Sequence, residues 1–384
     1  MAERIATVVA DNIVSPLGFT TRDNYEAVKA GRSGLKRYEG KWGLPEPFMA
    51  ALIDREAVLE ECEKEGIEGS FTFFEKMAIL SILKAAHQCE ADVTSDKTLL
   101  ILSTTKGNVD MLRVNAEGVE EDRLLLGEAA KTIAAWLGNP NRPVVVSNAC
   151  ISGVCAQIEA SRLIAAGRYE HVIVCGADVL SPFIVSGFQS LKALTDTPCR
   201  PFDEDRTGIN LGDAAATMIF SGAGHEECSG WYLAKGAIRN DAFHISSPSN
   251  QGEGCYRALR QILCEERQDD IAFVNAHGTA TLFNDEMESV AIDRGGLSQI
   301  PVNSLKGYYG HTMGAAGVVE SIIPMQAMNE GLILPTMGYE NLGVSREINI
   351  AATEGHTDKL AFVKMMSGFG GCNAAILYKL KTKQ

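Results

Sequence analysis

PVVVSNACISGVCAQIEASRLIAAG, residues 143–167, passes from a run of valines into a helical pattern through a short polar turn, and that turn holds Cys150. β-Branched residues favour strands, and the following small and apolar residues favour a helix. A second stretch, IAFVNAHG at 271–278, ends a similar apolar run on His277 and is again followed by a helical pattern. In open α/β sheets, reactive side chains sit at strand C-termini, where the turn into the helix opens onto a crevice.

Working outward, short β-branched runs recur at 98–103 (TLLILS), 171–178 (HVIVCGAD) and 215–221 (AATMIFS). After the polar break GAGHEECSG (222–230) they resume at 231–238 (WYLAKGAI), 359–367 (KLAFVKMMS) and 374–380 (AAILYKL). This rhythm predicts an α/β fold with a buried, largely parallel sheet, built as two similar halves, 1–228 and 229–384. The parallel between PVVVSNAC and IAFVNAHG predicts that a pseudo-repeat brings Cys150 and His277 to one cleft. Residues 38–70, with Pro45, Pro47 and the acidic helical stretch Ile53 to Glu65, read as a surface excursion, and the polar 195–213 segment reads as an ordered loop near a site.

Composition narrows the function classes. The 384 residues, 46% hydrophobic and 22% charged, suit a soluble globular protein with a large core. A net charge of -14 and the lack of a basic run argue against nucleic acid as a partner. The N-terminal apolar stretch is too short for a membrane span and lacks the marks of a signal peptide, so a cytoplasmic location is expected. Ten scattered cysteines without a CxxC pair point to reduced thiols, and seven histidines without ligand spacing give no metal site.

Cys150 stands before a helix whose macrodipole favours a thiolate, the form that attacks a thioester, and Ala149, Ser152 and Gly153 leave room beside it. His277 and His311 lie in Asn/Gly/Thr-rich loops, and Lys306 adds a cation that disfavours imidazole protonation. A neutral imidazole donates a hydrogen bond suited to an enolate oxygen.

Six motifs stand in order: SNACISG (147–153), CRPFDEDRTGINLGDAAA (199–216), RNDAFHISSP (239–248), VNAHGTATLFND (274–285), NSLKGYYGHTMGAAGVVES (303–321) and SGFGGCNAA (367–375). With them the chain resembles an elongating β-ketoacyl-acyl carrier protein synthase of the thiolase superfamily, from near Val14 to the C-terminus. The resemblance implies a five-layered αβαβα fold, a homodimer (or a heterodimer with a related subunit), and decarboxylative condensation of an acyl-thioester with malonyl-acyl carrier protein. It implies no permanently bound cofactor, the phosphopantetheine arm of acyl carrier protein being the substrate carrier. It implies that Cys150 accepts the acyl group, that His277 and His311 hold the malonyl thioester oxygen, and that Lys306 and Glu320 support His311. Backbone N–H groups of Cys150 and Phe369 would form the oxyanion hole, Thr279 and Thr281 would bind pantetheine, and Phe369 would gate the cysteine. Arg206 resembles a carrier-docking arginine; an ion pair with Asp203 or Asp205 is the alternative. By the same analogy residues 103–109 line the acyl tunnel, where Lys106 is unusual for an apolar wall.

The sequence departs from the family at Cys372, where a threonine is usual, and at Tyr308 and Tyr309, where smaller residues are usual. A non-catalytic partner resembling a chain-length factor, or a coenzyme A-dependent thiolase, are the alternative functions. The first conflicts with the retained Cys150, His277, His311 and Lys306, since an activated nucleophile needs its supporting groups together.

Overall fold

The structure, a computed structural model, describes residues 4–112, 120–224 and 228–382. His225 to Glu227, in the junction marked by the sequence, lie outside the described residues. The first half contributes β1 (Arg4–Val14), β2 (Thr98–Ser103), β3 (Val144–Val146), β4 (His171–Asp178) and β5 (Ala214–Gly224). The second contributes β6 (Gly230–Asn240), β7 (Ile271–Asn275), β8 (Val302–Asn303), β9 (Ala361–Gly368) and β10 (Cys372–Lys381).

The two halves repeat one topology. Spatial order is β3-β2-β4-β5-β1 in the first and β8-β7-β9-β10-β6 in the second, so in each the third strand of the chain takes the edge and the first lies at the opposite side. The two sets meet where Thr7 of β1 pairs with Tyr232 of β6. β2, β3 and β4 run parallel, as do β7, β8 and β9, but the last two steps of each half are antiparallel. The expected largely parallel sheet is therefore mixed. In the second half the reason is local: β9 and β10 are joined by the turn at Phe369–Gly371, and so short a connection permits only antiparallel pairing.

Five layers follow from which apolar faces are paired. Outside the first half lie α1 (Phe73–Ala86) and α2 (Leu126–Trp136), packing Phe74, Met77 and Ile133 onto Leu100, Leu102 and Ile173. A capping box starts α1: Glu75 N–H donates to the Thr72 hydroxyl and Thr72 N–H to the Glu75 carboxylate. Between the halves lie α3 (Ser152–Ala165) and, later in the chain, a long helix at Ala316–Asn329. Both are buried nearly all round, which a helix sandwiched between two sheets requires. They cross backbone to backbone; a Cβ on Gly317 would lie 2.6 Å from the Val154 nitrogen. Then come α4 (Pro182–Ser190), beside the site, and α5 (Glu253–Ile262) and α6 (Leu282–Arg294), whose Leu259, Met287 and Ile292 cover the outer face of the second half. A single turn, α7 (Lys306–Tyr309), precedes the long central helix, α8 (Ala316–Asn329).

This topology corrects the expected correspondence between Cys150 and His277. Cys150 follows the third strand of its half, so its counterpart is the segment after β8, which carries Lys306 and His311 and runs into α8. His277 follows β7, a second strand, and its counterpart is the loop after β2, Thr104 to Lys106. The similar sequences of the two runs do not mark equivalent positions: Val144–Val146 is a half-exposed edge strand and Ile271–Asn275 is fully buried. In the 38–70 segment the acidic helix forms at Arg55–Lys64, capped by Asp54.

Candidate active site

Cys150 sits in a tight turn. Ala149 takes a left-handed φ of 45°, and the Ser152 hydroxyl donates to the Ala149 carbonyl (2.6 Å) while accepting the Asn148 N–H (2.8 Å). The C-terminal end of β9 closes over it: a Cβ on Gly368 would lie 3.0 Å from the Cys150 nitrogen and 2.9 Å from Cys372 Sγ. Cys372 is buried and donates to the Phe369 carbonyl at 3.3 Å. Burial pushes the Cys150 thiol up to about 12, and Cys372 adds to this, while Lys306 and Lys106 pull the other way. The expectation of a resting thiolate at the helix N-terminus is not met, because a macrodipole contributes at most about 2 kcal/mol and desolvation outweighs it. Cys150 therefore rests as a thiol.

The histidines come from two loops of the second half. α6 holds the first: Glu288 accepts from His277 N–H and Gly278 N–H (both 2.7 Å), and Asp285, one turn earlier on the same face, accepts from Thr279 N–H (2.9 Å) and Ala280 N–H (3.1 Å). His311 is fixed by its backbone to the 195–213 loop, donating to the Asn210 carbonyl (2.7 Å) and accepting from Gly212 N–H (3.1 Å). The two rings stand edge to face with centroids 5.0 Å apart. Burial first, then Lys306, holds both imidazoles well below their ordinary value, so both are neutral. Nδ1 of each and Nε2 of His311 are buried without a hydrogen-bond partner among the described residues. Cys150 Sγ and one ring nitrogen of each histidine lie within 4.8 Å of one another. Among the described residues this is the one Cys/His/Asp/Glu group compact enough to hold a metal ion. Its members come from three separate loops, so no ligand spacing marks it in the sequence.

Behind the imidazoles lies a buried charge cluster. Lys306 Nζ pairs with one oxygen of Glu320, and Lys364 Nζ with the other at 2.6 Å, while Lys364 also donates to Asn275 Oδ1 at 2.6 Å. Two lysines thus share one carboxylate behind the histidines, and the Glu288 carboxylate acts on Lys364 as well. Burial lowers Lys364 to about 8 against the pull of Glu320. Lys364 was missed by sequence reasoning. Its signal is a lysine in the middle of the apolar run AFVKMM, a position where only a paired lysine survives.

Two cavities meet at the thiol. One, about 580 Å³, is lined by Cys150, Phe369, α4 and Lys106. The other, about 320 Å³, is lined by Cys150, His277, His311, Thr279, Thr281 and Phe369. Phe369 is 41% exposed and borders both. The Thr279 and Thr281 hydroxyls are 2.8 Å apart.

Residues 97–223 match the family described as "Beta-ketoacyl synthase, N-terminal domain" and residues 232–340 its C-terminal domain. The 3-oxoacyl-[acyl-carrier-protein] synthase 2 of Rhizobium meliloti is 34% identical, with 99% of each chain covered. The chain belongs to the β-ketoacyl synthase family. The Vibrio cholerae protein named 3-oxoacyl-[acyl-carrier-protein] synthase 2 is 26% identical over 99% of this chain and all of its own. A β-ketoacyl synthase from Burkholderia phymatum shares the thiolase-like fold with a TM-score of 0.86, at 24% identity, covering 98% of this chain and all of that one. A ketosynthase solved with its chain length factor, from Xenorhabdus doucetiae, also gives 0.86, at 22% identity and 98% of each chain. The chain is accordingly a condensing enzyme of the acyltransferase class.

Within this ketosynthase, Cys150, His277, His311, Lys306, Glu320, Thr279, Thr281 and Phe369 converge on one region. Arg206 lies apart: it is 8% exposed, and its guanidinium donates to the backbone carbonyls of Asp203 and Gly343. Among the described residues the alternative ion pair of Arg206 with Asp203 or Asp205 does not form, and Asp203 pairs with Arg200. Tyr308 and Tyr309 are buried in the central core, away from the residues that line the two cavities. Among the described residues no helix is long and apolar enough to cross a membrane, and all ten cysteines are unpaired.

Proposed function

We propose that the chain carries out its elongating condensation at Cys150, between two carrier-protein substrates. The acyl thioester enters along the cavity lined by Thr279 and Thr281, whose hydroxyls hold the phosphopantetheine arm. The Cys150 thiol gives its proton to a neighbouring imidazole, sulfur bonds to the acyl carbon, and the carrier thiol leaves with a proton. Malonyl-carrier protein follows. Its carboxylate departs as carbon dioxide, and the bonding pair remains on the α-carbon as an enolate whose oxygen accepts hydrogen bonds from His277 and His311. That carbon attacks the acyl-cysteine carbonyl, the oxyanion is held by the N–H groups of Cys150 and Phe369, and the Cys150 sulfur leaves and is reprotonated.

The observation that carries this reading is the thiol and two neutral, otherwise unpartnered imidazole nitrogens within 4.8 Å at the meeting point of two cavities. Burial keeps the imidazoles neutral, and the nearby Lys306 and Lys364 ammonium groups add to it. Acyl carrier protein is the partner, the chain pairs with a second copy or a related subunit, and the halves divide as 1–228 and 229–384. Arg206 contributes to docking by bracing the 203–207 loop, given its commitment to backbone carbonyls. The test is a purified-protein assay with an acyl donor and malonyl-carrier protein. Release of carbon dioxide with an elongated product supports the reading, and neither one across short and medium donors rejects it.

A further inference from the structure

The larger of the two cavities has a mainly apolar wall, interrupted by Thr105, Ser186, Ser190 and one charged residue. α4 supplies Pro182, Phe183, Ile184 and Phe188, and Lys106 is the only charged residue in the lining. Lys106 belongs to the loop after β2, the topological counterpart of the loop that carries His277, so both halves aim this position at the same cleft.

The loop is rigidly held. Asp178, buried at the end of β4, accepts from the N–H groups of Thr105 (2.9 Å), Lys106 (3.0 Å) and Gly314 (2.7 Å) and from the hydroxyls of Thr104 (2.8 Å) and Thr105 (2.9 Å). That carboxylate is therefore committed to backbone and hydroxyl donors. Lys106 Nζ contacts only the Thr105 carbonyl, at 3.4 Å, and has no carboxylate partner among the described residues. The half-buried ammonium borders an apolar cavity, and no counter-ion among the described residues offsets its charge there. A ligand can.

We propose that Lys106 selects acyl donors bearing a carboxylate at the end remote from the thioester. The inference rests on the reading of Cys150 as acyl acceptor, because an acyl group on that sulfur extends into the cavity Lys106 lines. A plain alkyl tail meets a charge it cannot solvate, whereas a terminal carboxylate forms a charge-assisted hydrogen bond there.

The test compares hexanoyl- and adipoyl-carrier protein, equal in carbon number, by intact-mass detection of Cys150 acylation and by kcat/KM of condensation; acetyl-carrier protein is the wild-type control. Wild-type protein is expected to prefer adipoyl by about 10-fold or more, the scale of one hydrogen bond to a charged group. Lys106→Met should invert that preference, and Lys106→Arg, which keeps the cation, should retain it. Equal or better use of hexanoyl by the wild type, or an unchanged ratio in Lys106→Met, overturns the inference. If acetyl loads and adipoyl does not, the inference alone falls; if none of the three loads, the assignment of Cys150 falls with it.

Discussion

The segments after β3 and β8 are topological equivalents, each leading into a central helix, yet they are held by opposite means. Residues 147–151 form a bare turn, fixed by the Ser152 hydroxyl, a left-handed Ala149 and the close approach of Gly368. Residues 304–315 make a longer path, and Lys306 within it is anchored through buried charge to Glu320 and so to Lys364. A nucleophile needs access and a fixed direction, which small residues provide. A hydrogen-bond donor that must stay neutral needs burial first and a nearby cation second, and this segment has both. One topology, used twice, yields both.

The strongest way to break this contrast is to remove an imidazole. His277→Ala or His311→Ala should lower carbon dioxide release from malonyl-carrier protein by about 10²- to 10³-fold, the usual effect of losing one donor to a developing oxyanion. Acylation of Cys150 in each variant should persist, the remaining imidazole taking the thiol proton, as intact-mass analysis would read. Comparable loss of both steps would mean that the division of labour is wrong.

Next comes the charge cluster. Glu320→Leu leaves Lys306 and Lys364 buried without a counter-ion, so unfolding by urea should show a loss of about 3–5 kcal/mol. Lys364→Met should cost less, because Glu320 keeps Lys306. Equal losses would show that the three groups do not act as the geometry suggests.

Gly368→Ala addresses the nucleophile's side. The added methyl meets the Cys150 nitrogen at 3.0 Å, so the turn must shift; a loss of about 10-fold in acylation rate is expected, with little change in malonyl decarboxylation. A loss shared equally by both steps would count against a purely local effect.

The smallest effect is a pH dependence. Lys364 falls from 10.5 to about 8 on folding, so between these values the unfolded chain binds more protons than the folded one. The Lys364 contribution, read as wild type minus Lys364→Met, should therefore rise with pH from about 8 toward 10.5, against the opposite contribution of the buried cysteines, whose thiols are pushed up by burial. Stability falling over this range in the wild type by a Lys364-dependent amount would reverse the sign and refute the assignment.

How much of this was legible in the sequence depended on whether a residue acts through local pattern or through distant partners. The turn at Cys150 announces itself, since three valines and a helix flank it. His277, His311 and Lys306 stand in glycine-rich motifs that no core strand would use. By contrast, Lys364 lies inside a strand, and its role depends on Glu320, 44 residues away in the chain. Asp285 and Glu288 carry no sequence signal, because their partners are backbone N–H groups of a loop. β1 was read only as an apolar stretch, since its pairing with β5 spans the whole first half. Arg206, read as a docking arginine or an ion-pair partner of Asp203 or Asp205, donates to main-chain carbonyls, which no side-chain pattern reveals.

The most direct test is to incubate the protein with acyl-carrier protein, locate the adduct by peptide mass spectrometry, and then add malonyl-carrier protein. The account predicts one acyl group per chain, on Cys150 among the ten cysteines, discharged as a 3-oxoacyl product with one carbon dioxide per turnover. An adduct on another cysteine, or product formed by Cys150→Ala at the wild-type rate, would contradict it.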